Sequence, residues 1–312
     1  MTRLLALQHR LQDTGAALAR LEQEFASTPA DEGLALSLRS MERRFAAQQQ
    51  EFSEVAASVG VDVCKYRLFA DVERYTLRAA SASWSEFQRL FSIVYSALTT
   101  GPKDTSKVSM EVARATDFSV AYTFAGSLGL ALTLPNEAQL VGETELDKTM
   151  EVVFGMAKAH TAGEVLAHVK VLGAGPVRVL YRWADSQTRA GLGADIRWQR
   201  KQQVRAQLIV QQPELARLQQ IIAQTGTETT EELQDIGRLI GADIDDRWFH
   251  MHLHGLKQDI KGTFVDAIKP EDKTSLLGKD YLVVLTKKTI PQYAMDEDKI
   301  EYVLNSIAPV TR

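Results

Sequence analysis

The sequence predicts an α+β protein with three parts. Two seams of apolar residues with heptad spacing predict an N-terminal antiparallel helical hairpin, a short coiled coil. Strand-like and helical segments that follow one another predict a central α/β body with an antiparallel sheet. Five short strands near the C-terminus predict a small five-stranded β-barrel of the SH3-like or OB-like kind. We place the three domains at residues 1–60, 61–225 and 226–312.

Length and composition are typical of a globular protein. The chain has 312 residues, 45% of them hydrophobic and 24% charged, and a formal net charge of −4. This mild acidity provides no overall attraction to nucleic acid or to an anionic membrane. The single cysteine excludes a disulfide framework within the chain, and no run of about 18 apolar residues predicts a membrane span. We therefore expect a cytoplasmic protein that makes no membrane contact.

The hairpin has the clearest pattern in the sequence. Apolar residues recur at alternating steps of three and four over residues 4–25 and again over 34–59. Thr28 is predicted to cap the second helix, with Pro29 in its first position. Large side chains on both seams expose more apolar surface than two helices hide from each other, which favours association with a second copy or a partner helix. The predicted association residues are Leu4, Leu7, Leu11, Leu18, Leu21, Phe25, Leu38, Met41, Phe45 and Phe52.

The central region begins with strand-like segments. Alternating leucines in 127–135 predict a sheet with one buried face, covered by a helix over 143–159. The sequence Ser83-Trp84-Ser85-Glu86 matches a capping box and predicts that a helix starts there. The predicted strands are residues 61–70, 74–80, 107–116, 117–126 and 127–135.

Further helices are predicted after Thr161 and after Gly175-Pro176, the second of them ending at Gly191. Residues 198–224 fit two alternatives. They form either a helix interrupted at Pro213 or a strand followed by a helix.

A local excess of positive charge lies within residues 171–220, where eight Arg or Lys face three acids and aromatic residues are interleaved. This combination is typical of surfaces that bind anions, nucleic acid included. The alternative is a solvated face whose cations pair with the acidic residues of 228–246. No glycine-rich phosphate loop accompanies the basic stretch, and we predict no cofactor. The candidate anion-binding residues are Arg178, Arg182, Arg189, Arg197, Lys201 and Arg205.

Three of the six histidines alternate in the segment WFHMHLHG, residues 248–255. In a strand, the three histidines would share one face while the apolar residues between them point into the core. Two imidazoles on one strand can share a metal ion if a neighbouring carboxylate completes the site. The candidate metal ligands are therefore His250, His252 and Asp259. The alternative is a solvated or partner-facing strand.

No motif in the sequence identifies a reaction, so function is argued from surfaces. The leading hypothesis is a non-catalytic adaptor, sensor or scaffold subunit of a cytoplasmic multi-protein complex, assembled through its hairpin as a homo-oligomer or with a protein partner. A bacterial defence complex is one setting for such a subunit, although no residue points to it. The two alternatives are a metal-dependent hydrolase or nuclease that uses the histidine strand, and a nucleic-acid-binding module that uses residues 176–205.

Overall fold

The computed structural model describes residues 2–70, 76–124, 128–136, 143–200, 203–226, 228–243, 246–265, 277–295 and 297–310. The chain forms two compact units, Met1–Gln224 and Thr225–Arg312. Within the described ranges it has eight helices and ten strands, which confirms the α+β class. The hairpin, predicted as a domain of its own, lies within the first unit together with the central body.

Helices and strands are mixed along the first unit, whereas the second unit has strands alone among its described residues. The elements of the first unit are α1 (Thr2–Ser27), α2 (Glu32–Ser58), β1 (Val61–Phe69), α3 (Leu77–Thr100), α4 (Met110–Thr116), β2 (Ser119–Phe124), β3 (Leu128–Pro135), α5 (Glu145–Ala157), α6 (Ala162–Leu172), α7 (Ala174–Ala190), β4 (Gly193–Arg200), β5 (Gln203–Val210) and α8 (Gln212–Gln224). Those of the second unit are β6 (Thr229–Asp243), β7 (Trp248–Leu253), β8 (Gln258–Phe264), β9 (Asp280–Ile290) and β10 (Lys299–Pro309).

The predicted hairpin is confirmed, with a different cap. Arg3 at the start of α1 pairs with Glu51 near the end of α2 at 3.1 Å, as antiparallel helices require. The Asp31 side chain caps α2 by accepting a hydrogen bond from the backbone N–H of Leu34 at 2.9 Å. The prediction that Thr28 caps α2 is wrong, because its hydroxyl donates to a carbonyl at the end of α1.

The apolar seam of the hairpin packs against the sheet of the same unit. Phe45 and Phe52 lie edge-on to the Tyr122 ring, with centroids 6.2 and 5.4 Å apart. At the edge of the sheet, the Gln12 side-chain amide of α1 donates to the Ala121 carbonyl of β2 at 2.9 Å. The hairpin is thus docked by its apolar seam and by polar contacts beside it. The shared core contains Leu7, Leu11, Leu18, Phe45, Phe52, Ala56, Val63, Ala121, Tyr122 and Ala131.

The five strands of the first unit form an antiparallel sheet with the order β2-β3-β1-β4-β5. One face, which carries Tyr66 and Trp198, packs on α3 through Phe87 and Phe91. The predicted leucine alternation is confirmed, since Leu132 stands opposite Cys64 and shares this buried face. The prediction that only one face is buried is wrong, because the hairpin packs on the opposite face and buries Val63 and Ala131 there.

Two predicted strands and one predicted helix start are wrong. Residues 107–116 contain the helix α4, capped by Ser109. Residues 77–80 open α3, capped by Thr76, while residues 74 and 75 lie outside the described part of the chain. Ser83 therefore lies inside α3, where its hydroxyl hydrogen-bonds the buried Tyr66 hydroxyl at 2.9 Å instead of capping a helix.

The strand alternative is correct for the ambiguous segment. Residues 203–210 form β5, which pairs with β4, and Pro213 lies in the first turn of α8, where a proline is tolerated.

The second unit is a closed five-stranded barrel with the order β10-β8-β7-β6-β9, as predicted. β8 and β10 pair in parallel, and the other neighbours are antiparallel. The alternation predicted for the histidine strand is confirmed, because Phe249, Met251 and Leu253 are fully buried in the barrel core. His250 and His252 lie on the outer face of β7, whereas His254 follows the end of the strand and is exposed.

A glycine in the barrel permits a close approach between two strands. A Cβ added at Gly262 would lie 2.2 Å from the Tyr302 carbonyl oxygen and 2.8 Å from the Phe249 ring. We expect Gly262→Ala to destabilise the barrel by about 1–3 kcal/mol, because the β8–β10 pair must separate. Hydrogen exchange of barrel peptides in urea measures this effect. Gly241→Ala is the matched control, since its added Cβ makes only ordinary contacts. Equal protection of the two variants would contradict the prediction.

Candidate anion-binding site

The structure disperses the five predicted anion-binding residues that it describes instead of gathering them. Three lie on α7. Arg178 is buried and donates to the Asp104 carbonyl, whereas Arg182 pairs with Glu86 at 3.5 Å. Arg189 pairs with Asp185 at 2.9 Å, one turn away on the same helix. These three arginines therefore serve contacts within the chain.

The remaining three positions have different surroundings. The Arg205 guanidinium donates to Asp147 at 2.8 Å, on the helical side of the sheet. Lys201 lies outside the described residues. Arg197 extends from the opposite face of β4, where it lines an open cleft. Of the five candidates that the structure describes, Arg197 alone lines this cleft.

This cleft lies on the sheet face that receives the hairpin. The seam of α1 and α2 packs on Val63, Tyr122 and Ala131, on three neighbouring strands at one side of the sheet. Where the hairpin contacts end, outward side chains of β1 and β4 border a cavity of about 170 Å³. The cleft is lined by Gln49, Lys65, Arg67, Phe124, Asp195 and Arg197.

Strand register explains why these charges meet. Lys65 of β1 stands opposite Arg197 of β4, and Arg67 stands opposite Asp195. Side chains two residues apart on a strand share one face, so all four point to the same side of the sheet. Two adjacent strands therefore present three cations and one carboxylate.

The carboxylate of Asp195 is fully engaged. Arg197 binds it with two hydrogen bonds of 3.1 and 2.9 Å, and Arg67 pairs with it at 3.4 Å. Asp195 is only 4% exposed, and the Gln207 side chain donates to it as well. This carboxylate fixes the two guanidinium groups and neutralises one of them, so the lining residues that the structure describes carry a net charge of +2.

Lys65 is the cation that this arrangement leaves uncompensated. Among the described residues, no carboxylate lies within ion-pair distance of its ammonium group. Burial lowers the pKa of Lys65 below its usual value, and the positive charge of Arg197 lowers it further. The buried Nε of Arg67 likewise donates to no acceptor in the described part of the chain. Both groups would gain from an anion in the cleft.

The predicted metal ligands His250, His252 and Asp259 lie close together on the barrel. His252 Nδ1 is 2.6 Å from Asp259 Oδ1, whereas His250 Nε2 is 3.8 Å from the other oxygen of Asp259. His254 pairs instead with Asp280 at 3.3 Å. Within the described ranges, no three His, Cys, Asp or Glu side chains converge on a position that could hold a metal ion. The metal prediction therefore gains no support.

The predicted association residues divide into two groups. Association through the hairpin stays a prediction. None of the predicted association residues is exposed, so a partner could contact only those that are half-buried. Two exposed leucines outside the seam, Leu5 and Leu36, were not predicted. The seam residues buried by the chain's own sheet are Leu7, Leu11, Leu18, Phe45 and Phe52, and the half-buried ones are Leu4, Leu21, Phe25, Leu38 and Met41.

Sequence reasoning missed most of the cleft. The available signal was the alternation of Lys65 and Arg67 with buried residues in a predicted strand, which places two cations on one face. The pairing of that strand with β4 brings Asp195 and Arg197 beside them, across about 130 residues of chain.

Comparison with protein-family models, with curated proteins and with solved structures gives no match to this chain. In the described part of the structure, no helix combines the length and the apolar character needed to cross a membrane. Function is therefore argued from the cleft.

Proposed function

We propose that this protein is a binding subunit, an adaptor or sensor, that recognises an anionic ligand in the cleft between α2 and the sheet. The observation that supports this proposal is the convergence of Lys65, Arg67 and Arg197 on one concave surface with a single, already engaged carboxylate.

The chemistry of the three cations favours phosphate or carboxylate. Arginine offers a planar set of donors that matches both groups, and lysine adds a compact charge. Asp195 holds the two guanidinium groups in place before a ligand arrives, which reduces the ordering cost of binding. The ligand would also supply the negative charge that the ammonium group of Lys65 lacks.

The lining residues favour binding over catalysis. The one carboxylate, Asp195, is bound by both arginines and so is not free to act as a general base. Among the described lining residues there is no His, Cys, Ser or Thr. The dispersal of the other predicted basic residues also favours a small anion over a nucleic-acid duplex, which needs a continuous positive surface.

Titration with inorganic phosphate and with pyrophosphate at low ionic strength tests the proposal. We expect Lys65→Gln to weaken binding by about tenfold to a hundredfold, because a hydrogen bond to a charged group contributes about 1.5–3 kcal/mol. Lys65→Gln removes charge without leaving a carboxylate unpaired, so the fold should be retained. Isothermal titration calorimetry gives the affinities.

The matched control is Arg189→Gln, which removes one positive charge from an exposed ion pair on α7. This variant should bind phosphate as the unaltered chain does. Equal weakening in both variants would indicate a diffuse charge effect and contradict a specific cleft. An absence of binding to either anion at low ionic strength would also contradict the proposal.

A further inference from the structure

We infer that the ligand is a phosphorylated aromatic compound of the mononucleotide class, whose ring stacks on Phe124 while its phosphate meets Lys65 and Arg197. This inference rests on the proposed function and names the class of anion.

The first observation is the position of Phe124. In the sheet register, Phe124 of β2 pairs with Gly129 of β3, and Gly129 pairs with Arg67 of β1. The ring therefore lies in the same transverse row as a cleft arginine. Phe124 is half-buried and lines the cleft, so part of its surface borders the open volume.

The second observation concerns the orientation of the ring. A Cβ added at Gly129 would lie 2.3 Å from a ring atom of Phe124, which means that the ring rests on the backbone of β3. Phe124 also packs against the hairpin core, so the part of the ring that lines the cleft is the surface on which a base could stack. The glycine makes this geometry possible, because any other residue would push the ring away.

The third observation is the spacing between the ring and the cations. Phe124 and Lys65 are two strands apart, which corresponds to about 10 Å across the sheet. Both side chains line the same cavity, so a sugar that crosses this cavity could connect a stacked base to a bound phosphate. Inorganic phosphate would contact only the cations of the cleft and would not contact the Phe124 ring.

Gln49 of α2 adds a polar group on the side of the cleft that the hairpin forms. Its amide can both donate and accept hydrogen bonds, as the edge of a nucleobase requires. The cleft thus combines a ring, an amide and cations, the three kinds of contact that a nucleotide uses.

The test compares inorganic phosphate with AMP, GMP, CMP and UMP by calorimetry on the full chain. We expect at least one nucleotide to bind about tenfold more tightly than phosphate, because stacking on an aromatic side chain favours the base. Phe124→Leu should abolish this advantage, measured against the phosphate affinity of the same variant. Phe124→Tyr keeps a ring and should preserve the advantage. Far-UV circular dichroism and urea unfolding check that each variant is folded.

The outcomes separate this inference from the proposed function. Phosphate binding without any nucleotide advantage, or an advantage that survives Phe124→Leu, overturns the nucleotide inference alone. Nucleotide binding that is unaffected by Lys65→Gln places the nucleotide elsewhere and also overturns it. If a short single-stranded oligonucleotide binds far more tightly than every mononucleotide, the ligand is nucleic acid and the mononucleotide inference is overturned. Failure of all anions to bind overturns the proposed function itself.

Discussion

Replacing Asp62 with asparagine is expected to lower the free energy of unfolding of the first unit by about 3 kcal/mol, because it removes the buried carboxylate that is the main counter-charge of the half-buried Arg200. Asp62 is 1% exposed, and its two oxygens accept hydrogen bonds from Arg200 at 2.6 and 2.7 Å. Asn136 also donates to Asp62 at 2.5 Å. An asparagine would offer one acceptor oxygen and turn an amide N–H₂ group towards other donors.

The neighbouring carboxylate cannot replace the one that is lost. Asp147 lies 3.7 Å from Arg200 and is already bound by Arg205 and Trp198. Burial raises the pKa of Asp147, but hydrogen bonds from Thr144 and Trp198 and the charges of the two arginines outweigh burial and leave the pKa lowered. Asp147 thus stays ionised for its own partners.

Urea unfolding, followed by tryptophan fluorescence and by hydrogen exchange of first-unit peptides, measures the effect of Asp62→Asn. Glu145→Gln is the control, since it removes a carboxylate from the exposed pair with Lys148 close to the same network. Exposed ion pairs contribute little, so this variant should unfold as the unaltered chain does. Identical unfolding midpoints for the two variants would show that the buried network is not required.

Truncating Phe52 to alanine is expected to destabilise the first unit by about 3–5 kcal/mol, because the change leaves a cavity between α2 and the sheet. Phe52 is fully buried and packs edge-on to Tyr122. The same unfolding measurements apply, with particular attention to exchange in α1 and α2. Loss of protection should begin in these helices and in β2, the edge strand beneath them.

Leu36→Ala is the matched control on the same helix, because Leu36 is 64% exposed. A substitution at such a surface position normally changes stability by less than about 0.5 kcal/mol. If Phe52→Ala proved as mild as Leu36→Ala, the hairpin would not be held by the sheet. Its seam would then be available for another molecule, as the sequence first suggested.

Periodicity predicted the parts of the fold that depend on nearby residues. The heptad seams around Leu7 and Phe52 predicted the two helices, and alternation around Met251 predicted a barrel strand with its histidines outside. These patterns show which side of an element is apolar, and they do not show what covers it. The hairpin seam was therefore assigned to a partner, although the chain's own sheet covers its buried part.

The remaining features depend on pairs of residues far apart in sequence. Ser83 resembled a helix cap because its local pattern is that of a capping box, but its hydroxyl bonds the buried Tyr66 in the middle of α3. The charges around Arg197 were counted along the chain and interpreted as a helical patch. Strand pairing instead places Arg197 beside Lys65 and sends Arg205 to the opposite side of the sheet. Local sequence carries no signal for such pairings.

The helix that supplies Gln49 to the cleft is the one anchored to the sheet by Phe45 and Phe52. A ligand bound there would contact both sides of that junction, so its binding and the docking of the hairpin would be thermodynamically linked. At a ligand concentration 100 times Kd, occupancy would oppose lifting of α2 by about 2.7 kcal/mol. Conversely, a protein that pulled the hairpin away from the sheet would release the ligand. The docking of the hairpin would then depend on whether the ligand is bound, and a partner could detect this difference.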